Sequence, residues 1–135
     1  MKDGNTVYRC PADMKYYADS QDYREISYGI NAFDNGGIGA IYPWGGAWSF
    51  LTRISGVANS AQTILLADSG HMSEDGGAAY IILPATSASG TKANYYIYPR
   101  HSQGANVLYV DGHTEYADAA RLNEIKNDSK YWKAN

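Results

Sequence analysis

In the C-terminal third, His101, Asp111, His113 and Glu115 are the foremost candidates to bind a metal. Neutral imidazole and carboxylate are good zinc ligands, and a site gathers them from loops and strand ends. Their spacing argues against such a site here. Asp111 precedes Gly112 in a turn dipeptide, where its carboxylate is better used on local backbone. His113 and Glu115, two apart on a strand, lie about 7 Å from one another at ~3.4 Å per residue. No HExxH and no paired CxxC pattern is present. No metal site and no cofactor is therefore expected, and His101 is read as a backbone hydrogen-bonder that holds the adjoining hairpin.

Other groups also carry side chains capable of chemistry. Asp68, Glu74 and Asp75 border glycine-containing turns, and calcium takes oxygen ligands from such loops. The Asp-x-Asp series of a dedicated calcium loop is missing, so solvated acidic turns are expected. Ser102, His71 and Asp68 supply the residue types of a nucleophilic triad, but no Gly-x-Ser-x-Gly turn is present. No catalytic residue is expected, and the chain is not read as an enzyme. The single cysteine, Cys10, has no intrachain partner. It reads as a small buried apolar residue, with pairing to a cysteine outside this stretch as the alternative in an oxidising compartment. Only Arg9 among its sequence neighbours would activate a thiolate, which argues against a nucleophilic role. The chain holds 13 tyrosines and 3 tryptophans, and Tyr42, Trp44 and Trp48 crowd the glycine-rich stretch from Asp34 to Ser49. Flat rings with polar edges stack on sugars, so this loop is the candidate ligand-binding surface.

The elements that must position these residues follow from composition and pattern. With 135 residues, 44% of them hydrophobic and 19% charged, the chain can bury one core, and residues 1–135 are expected to form a single domain. A net charge of −3 and a pI near 5.5 give no case for nucleic acid, and no apolar run is long enough to cross a bilayer. Alternation predicts strands over Glu25–Phe33, Gln62–Ala67, Ala78–Leu83 and Asn94–Tyr98, the second stopped by Asp68-Ser69-Gly70. Tyr28 and Ile30 share a face with Ile26, and Asn31 is read as an ordering hydrogen-bonder. Ser49 caps a short helix ending at Gly56, and Asp118 caps another running to Asp128, with Ala119, Leu122 and Ile125 on one side. Tyr131 and Trp132 dock the tail.

The strongest local prediction is a hairpin around Asp111-Gly112, a dipeptide suited to a two-residue turn with positive φ at both positions. Such a turn pairs Val110 with His113, Tyr109 with Thr114, Leu108 with Glu115 and Val107 with Tyr116. Both faces are partly apolar, which predicts an inner pair of strands covered on both sides. The sum is an α+β domain, mainly antiparallel sheet with one or two short helices.

The same stretch carries a resemblance. His101, nine intervening residues, then Asp111-Gly112 resembles the H-x9-DG signature of bacterial prepilin-like proteins. The surrounding Arg100-His101-Ser102-x-Gly104-Ala105-Asn106-Val107-Leu108-x-x-Asp111-Gly112-His113 matches that family closely. Weaker echoes lie in Tyr8-Arg9-Cys10-Pro11-Ala12-Asp13, Ser27-Tyr28-Gly29-Ile30-Asn31 and Thr63-Ile64-Leu65-Leu66-Ala67-Asp68-Ser69, in the family's order. The resemblance implies the soluble head of a pseudopilin-like protein of type II secretion or pilus-like machinery. It implies a non-catalytic role and contacts with other pseudopilins or secretion-machinery proteins. It further implies an extracytoplasmic location, with membrane attachment only through an N-terminal spine helix. The chain opens Met1-Lys2-Asp3-Gly4-Asn5, so that helix is expected to be missing from this stretch. His101, Asp111, Gly112 and His113 are then a structural signature. The alternative is a cell-surface carbohydrate-binding module using Tyr42, Trp44 and Trp48, with a glycan as partner.

Overall fold

The computed structural model describes residues 10, 12, 27–32, 38, 53–71, 81–82, 84 and 95–134. Among these the fold is α+β, a mainly antiparallel sheet backed by one helix. The strands are β1 (Tyr28–Asn31), β2 (Ile64–His71), β3 (Ile81–Ile82), β4 (Tyr95–Ile97), β5 (Ala105–Tyr109) and β6 (Thr114–Ala117), followed by α1 (Ala119–Asn127). Five strands run in the order β3-β1-β2-β5-β6, and β4 pairs with the far end of β2. The β1–β3 pairing is parallel, and the others are antiparallel. Short 3₁₀ turns occupy Ile54–Gly56 and Ser129–Tyr131. Ser49, the expected cap of a helix ending at Gly56, lies outside the described residues.

One face of the sheet packs on α1 and the C-terminal tail. Ile64, Ala67, Val107 and Tyr109 meet Leu122, Ile125, Tyr131 and Trp132 in one buried cluster. Asp118 caps α1 by accepting from the Arg121 N–H at 2.9 Å, which satisfies one of the orphan donors at the helix start. Leu122 and Ile125 are the buried residues of α1, as their spacing predicts, while Ala119 is exposed. Trp132 is fully buried, and removing a ring of that size from water contributes roughly 4–6 kcal/mol of transfer free energy. Its indole N–H donates to the Ile125 carbonyl at 2.6 Å. The tail is then stitched to the sheet. The Asn31 amide donates to the carbonyls of Ile64 and Trp132 at 3.0 and 2.9 Å, the ordering role its sequence position suggests. Thr63 Oγ1 lies 3.0 Å from the Lys133 carbonyl.

The hairpin forms where expected, with a different turn. Tyr109 N–H donates to the His113 carbonyl, and Gly112 N–H donates to the Tyr109 carbonyl, both at 3.0 Å. The loop is therefore the three residues Val110-Asp111-Gly112. Only Gly112, at φ +93°, takes the left-handed conformation; Asp111 does not. This is a turn closed by a left-handed glycine, the commonest alternative to the two-residue hairpin. The extra residue slips the register by one: Leu108 pairs with Thr114, Val107 with Glu115 and Asn106 with Tyr116. Every β6 side chain thus changes face relative to the two-residue prediction. A second correction concerns the inner placement expected for both strands, because among the described residues β6 is an edge strand and only β5 is internal. A third concerns β2, which continues through Asp68, Ser69 and Gly70 to His71.

The slip has an electrostatic consequence on the helix face. Glu115 now points at α1, where Arg121 clamps it with Nε to Oε1 at 2.7 Å and Nη2 to Oε2 at 3.2 Å. The Tyr109 hydroxyl donates to Oε2 at 2.6 Å. The bond from Arg121, ahead of the one from Tyr109, holds the Glu115 carboxyl below the ordinary glutamate range. A carboxyl depressed on folding adds stability above its unfolded value of ~4.3. That stability is lost as pH falls through the lower folded value. Urea unfolding should therefore show Glu115→Gln less stable than wild type at pH 7, with the gap narrowing below about pH 4. An unchanged gap from neutral to acid pH would remove Glu115 from this role.

Candidate functional site

Strand β2 changes neighbours along its length. It pairs with β5 through Ala67 and with β4 from Ser69 onward. Asp68 sits at the handover. Its carbonyl accepts from the Tyr98 N–H at 2.9 Å, and its carboxylate Oδ2 accepts from the Asn106 N–H at 2.7 Å. The side chain thus stands in for a backbone acceptor where β5 parts from β2. Asp68 is fully buried, and a buried charge persists only when paired and hydrogen-bonded.

The pairing comes from the connection between β4 and β5. Arg100, 3% exposed at its side chain, sets Nη1 3.4 Å from Asp68 Oδ1. The same guanidinium donates to the carbonyls of Ser27 at 3.1 Å and Ser69 at 3.0 Å, and its Cζ lies 5.3 Å from the Tyr98 ring centroid. One planar fork therefore ties the start of β1, the end of β2 and the β4–β5 connection, a task suited to arginine rather than lysine. His101 Nε2 lies 3.4 Å from Asp68 Oδ2 and 3.4 Å from Cys10 Sγ. Cys10 is buried and forms no disulfide among the described residues. Burial first, then the neighbouring Cys10 and Asp68, push the Tyr28 phenol above its ordinary value. Tyr28 and Asn106 also line an open groove of about 260 Å³ with Leu66, Leu108 and Thr114.

His101 is aimed by a strained turn. His101 N–H donates to the Gly104 carbonyl at 2.9 Å, and Gly104 N–H donates to the His101 carbonyl at 2.8 Å. The two residues between, Ser102 at φ 48° and Gln103 at φ 68°, are both left-handed. Positive φ at both centres is the mark of a type I′ turn, which normally selects Asn-Gly. The turn is held from outside: the Tyr116 hydroxyl donates to the His101 carbonyl at 2.9 Å. The Tyr116 ring lies so close that a Cβ on Gly104 would sit 2.4 Å from its Cζ, with the Ala117 carbonyl oxygen at 2.6 Å. Glycine is required there by contact.

The structure does not gather His101, Asp111, His113 and Glu115 into one site. Glu115 is engaged by Arg121 and Tyr109. Asp111 Oδ1 accepts from the His113 N–H at 3.1 Å and meets His113 Nδ1 at 2.6 Å, so its carboxylate serves the turn as expected. His113 stacks on Tyr109 with centroids 4.4 Å apart. His101 departs from its expected role, since its ring faces Cys10 and Asp68 rather than backbone. Cys10 is buried as predicted, yet it has a histidine neighbour that its local sequence does not reveal. Of the calcium candidates, Asp68 is enclosed by donors, while Glu74 and Asp75 lie outside the described residues, as do Tyr42, Trp44 and Trp48. Arg100 and Asp68 were missed as a pair. Their signal was an aspartate next to Thr63-Ile64-Leu65-Leu66-Ala67, where a charge inside a buried strand demands a partner.

Comparison with protein-family models, curated proteins and solved structures returned no match.

The left-handed pair makes the turn testable. Left-handed backbone costs an ordinary residue about 1–2 kcal/mol, and glycine escapes most of that cost. Gln103→Gly should stabilise the protein by about 1 kcal/mol in denaturant unfolding. A loss of stability would contradict the turn geometry.

Proposed function

We propose that this domain is the globular head of a pseudopilin-like protein, with a structural and interaction role in a secretion or pilus-like assembly. One observation carries the reading. The stretches that resemble the family are scattered in sequence, yet each supplies a member of the cluster around Asp68. Cys10 comes from the first, the Ser27 carbonyl and Tyr28 from the second, and Asp68 from the third. Arg100, His101 and Asn106 come from the fourth. Residues that jointly hold a sheet together are what a structural signature consists of.

The geometry favours this role over nucleophilic catalysis. A relay of the Cys-His-Asp kind uses one ring nitrogen for the nucleophile and the other for the carboxylate. Here the same Nε2 faces both Cys10 and Asp68. Among the described residues no helix is long and apolar enough to cross a membrane. In this reading a preceding leader, cleavage site and apolar helix anchor the precursor and carry the head outside the cytoplasm. There it contacts other pseudopilins or secretion-machinery proteins.

Expression of the complete gene product with a prepilin peptidase tests the reading. Leader removal should shorten the protein, and the product should fractionate with membranes. A product that is neither cut nor membrane-bound would contradict it.

A further inference from the structure

We propose that Cys10, His101 and Asp68 form a three-ligand site for a thiophilic divalent cation, best matched by zinc. The inference goes beyond the pseudopilin reading and does not rest on it. It starts from donor atoms. Cys10 Sγ, His101 Nε2 and one Asp68 carboxylate oxygen all lie within 4.8 Å of one another. Two of the three separations, Sγ to Nε2 and Nε2 to Oδ2, are 3.4 Å. A tetrahedral zinc with bonds of about 2.3 Å to sulfur and 2.0–2.1 Å to nitrogen and oxygen sets its ligand atoms about 3.3–3.6 Å apart. Two of the three separations thus match the required spacing before any ion enters, and the third lies within 4.8 Å.

The chemistry of the donors narrows the choice. Thiolate with imidazole and carboxylate selects zinc and its transition-metal neighbours over magnesium or calcium, which prefer all-oxygen shells. The convergence of both partners on a single ring nitrogen, which disfavours a proton relay, is what coordination of one ion needs. Outer contacts fix the carboxylate: the Asn106 N–H bonds Oδ2, and Arg100 sits at Oδ1. Such partners orient metal ligands and tune affinity. Two anionic donors, the thiolate and the carboxylate, offset the nearby guanidinium. On coordination the Cys10 thiol gives its proton to water and its sulfur lone pair to the metal, with no change in oxidation state. The ion would clip the segment carrying Cys10 onto β2 and the His101 turn, three stretches distant in sequence.

Cobalt titration of the metal-stripped, tag-free full chain under reducing conditions tests this. Expected are uptake of one equivalent with a thiolate-to-cobalt charge-transfer band, and bleaching of that band by zinc. Cys10 is the single cysteine, so the band reports on this site alone. His101→Gln, checked for native far-ultraviolet dichroism, should weaken binding by more than the roughly 10- to 100-fold that loss of an outer-shell partner costs. If that variant fails to fold, alkylation of wild-type Cys10 by iodoacetamide in mild urea, where the buried thiol becomes reachable, replaces it, and zinc but not magnesium should protect the thiol. No charge-transfer band in the wild type, unchanged affinity in folded His101→Gln, or a thiol unprotected by zinc would overturn the site.

Discussion

A carboxylate taken fully out of water must be answered by donors, because its desolvation costs several kcal/mol. Asp68 imposes that constraint at the centre of this sheet. It lies where β2 exchanges β5 for β4, at a place where a backbone N–H on β5 has lost its strand partner. One oxygen takes that N–H and the other faces Arg100. The charge that would be a liability in a continuous sheet fills the gap in a divided one. The connection between β4 and β5 is in turn held by the side chain it must supply, since Arg100 belongs to it.

The same demand explains the backbone strain beside it. To aim its ring at Asp68 and Cys10, His101 opens a turn whose two central residues are left-handed without being glycine. Such strain persists only where surroundings over-determine it. Tyr116 over Gly104 and the reciprocal hydrogen bonds between His101 and Gly104 do so. β6 therefore works on both faces: Tyr116 braces the turn on one, and Glu115 locks α1 on the other. A one-residue change in the hairpin loop would exchange these tasks, so the left-handed Gly112 fixes more than a local turn.

Much of the frame was legible in the sequence because local signals and tertiary demands agree there. Asp118, Leu122 and Ile125 announce α1, and two late aromatics announce a docked tail. The hairpin was legible as an element but not in register, since Asp-Gly suits both two-residue and three-residue loops and the choice lies in packing. The Asp68 cluster was hidden for a different reason. Aspartate is disfavoured in strands, so Asp68 read as a strand end, and nothing local links it to Arg100 or brings Cys10 to His101. Those contacts exist only once the sheet is assembled.

Arginine and aspartate sharing a buried site couple strongly, and a double-mutant cycle isolates that coupling. Unfolding free energies of wild type, Asp68→Ala, Arg100→Ala and the double variant test the claim most directly. Each single variant should cost about 3–5 kcal/mol, because each strands a buried charge. The double variant should cost little more than the worse single, which makes the coupling about as large as the lesser single cost, about 3 kcal/mol. Costs that simply add within about 0.5 kcal/mol would show that the two residues act separately and that the sheet is held by something else.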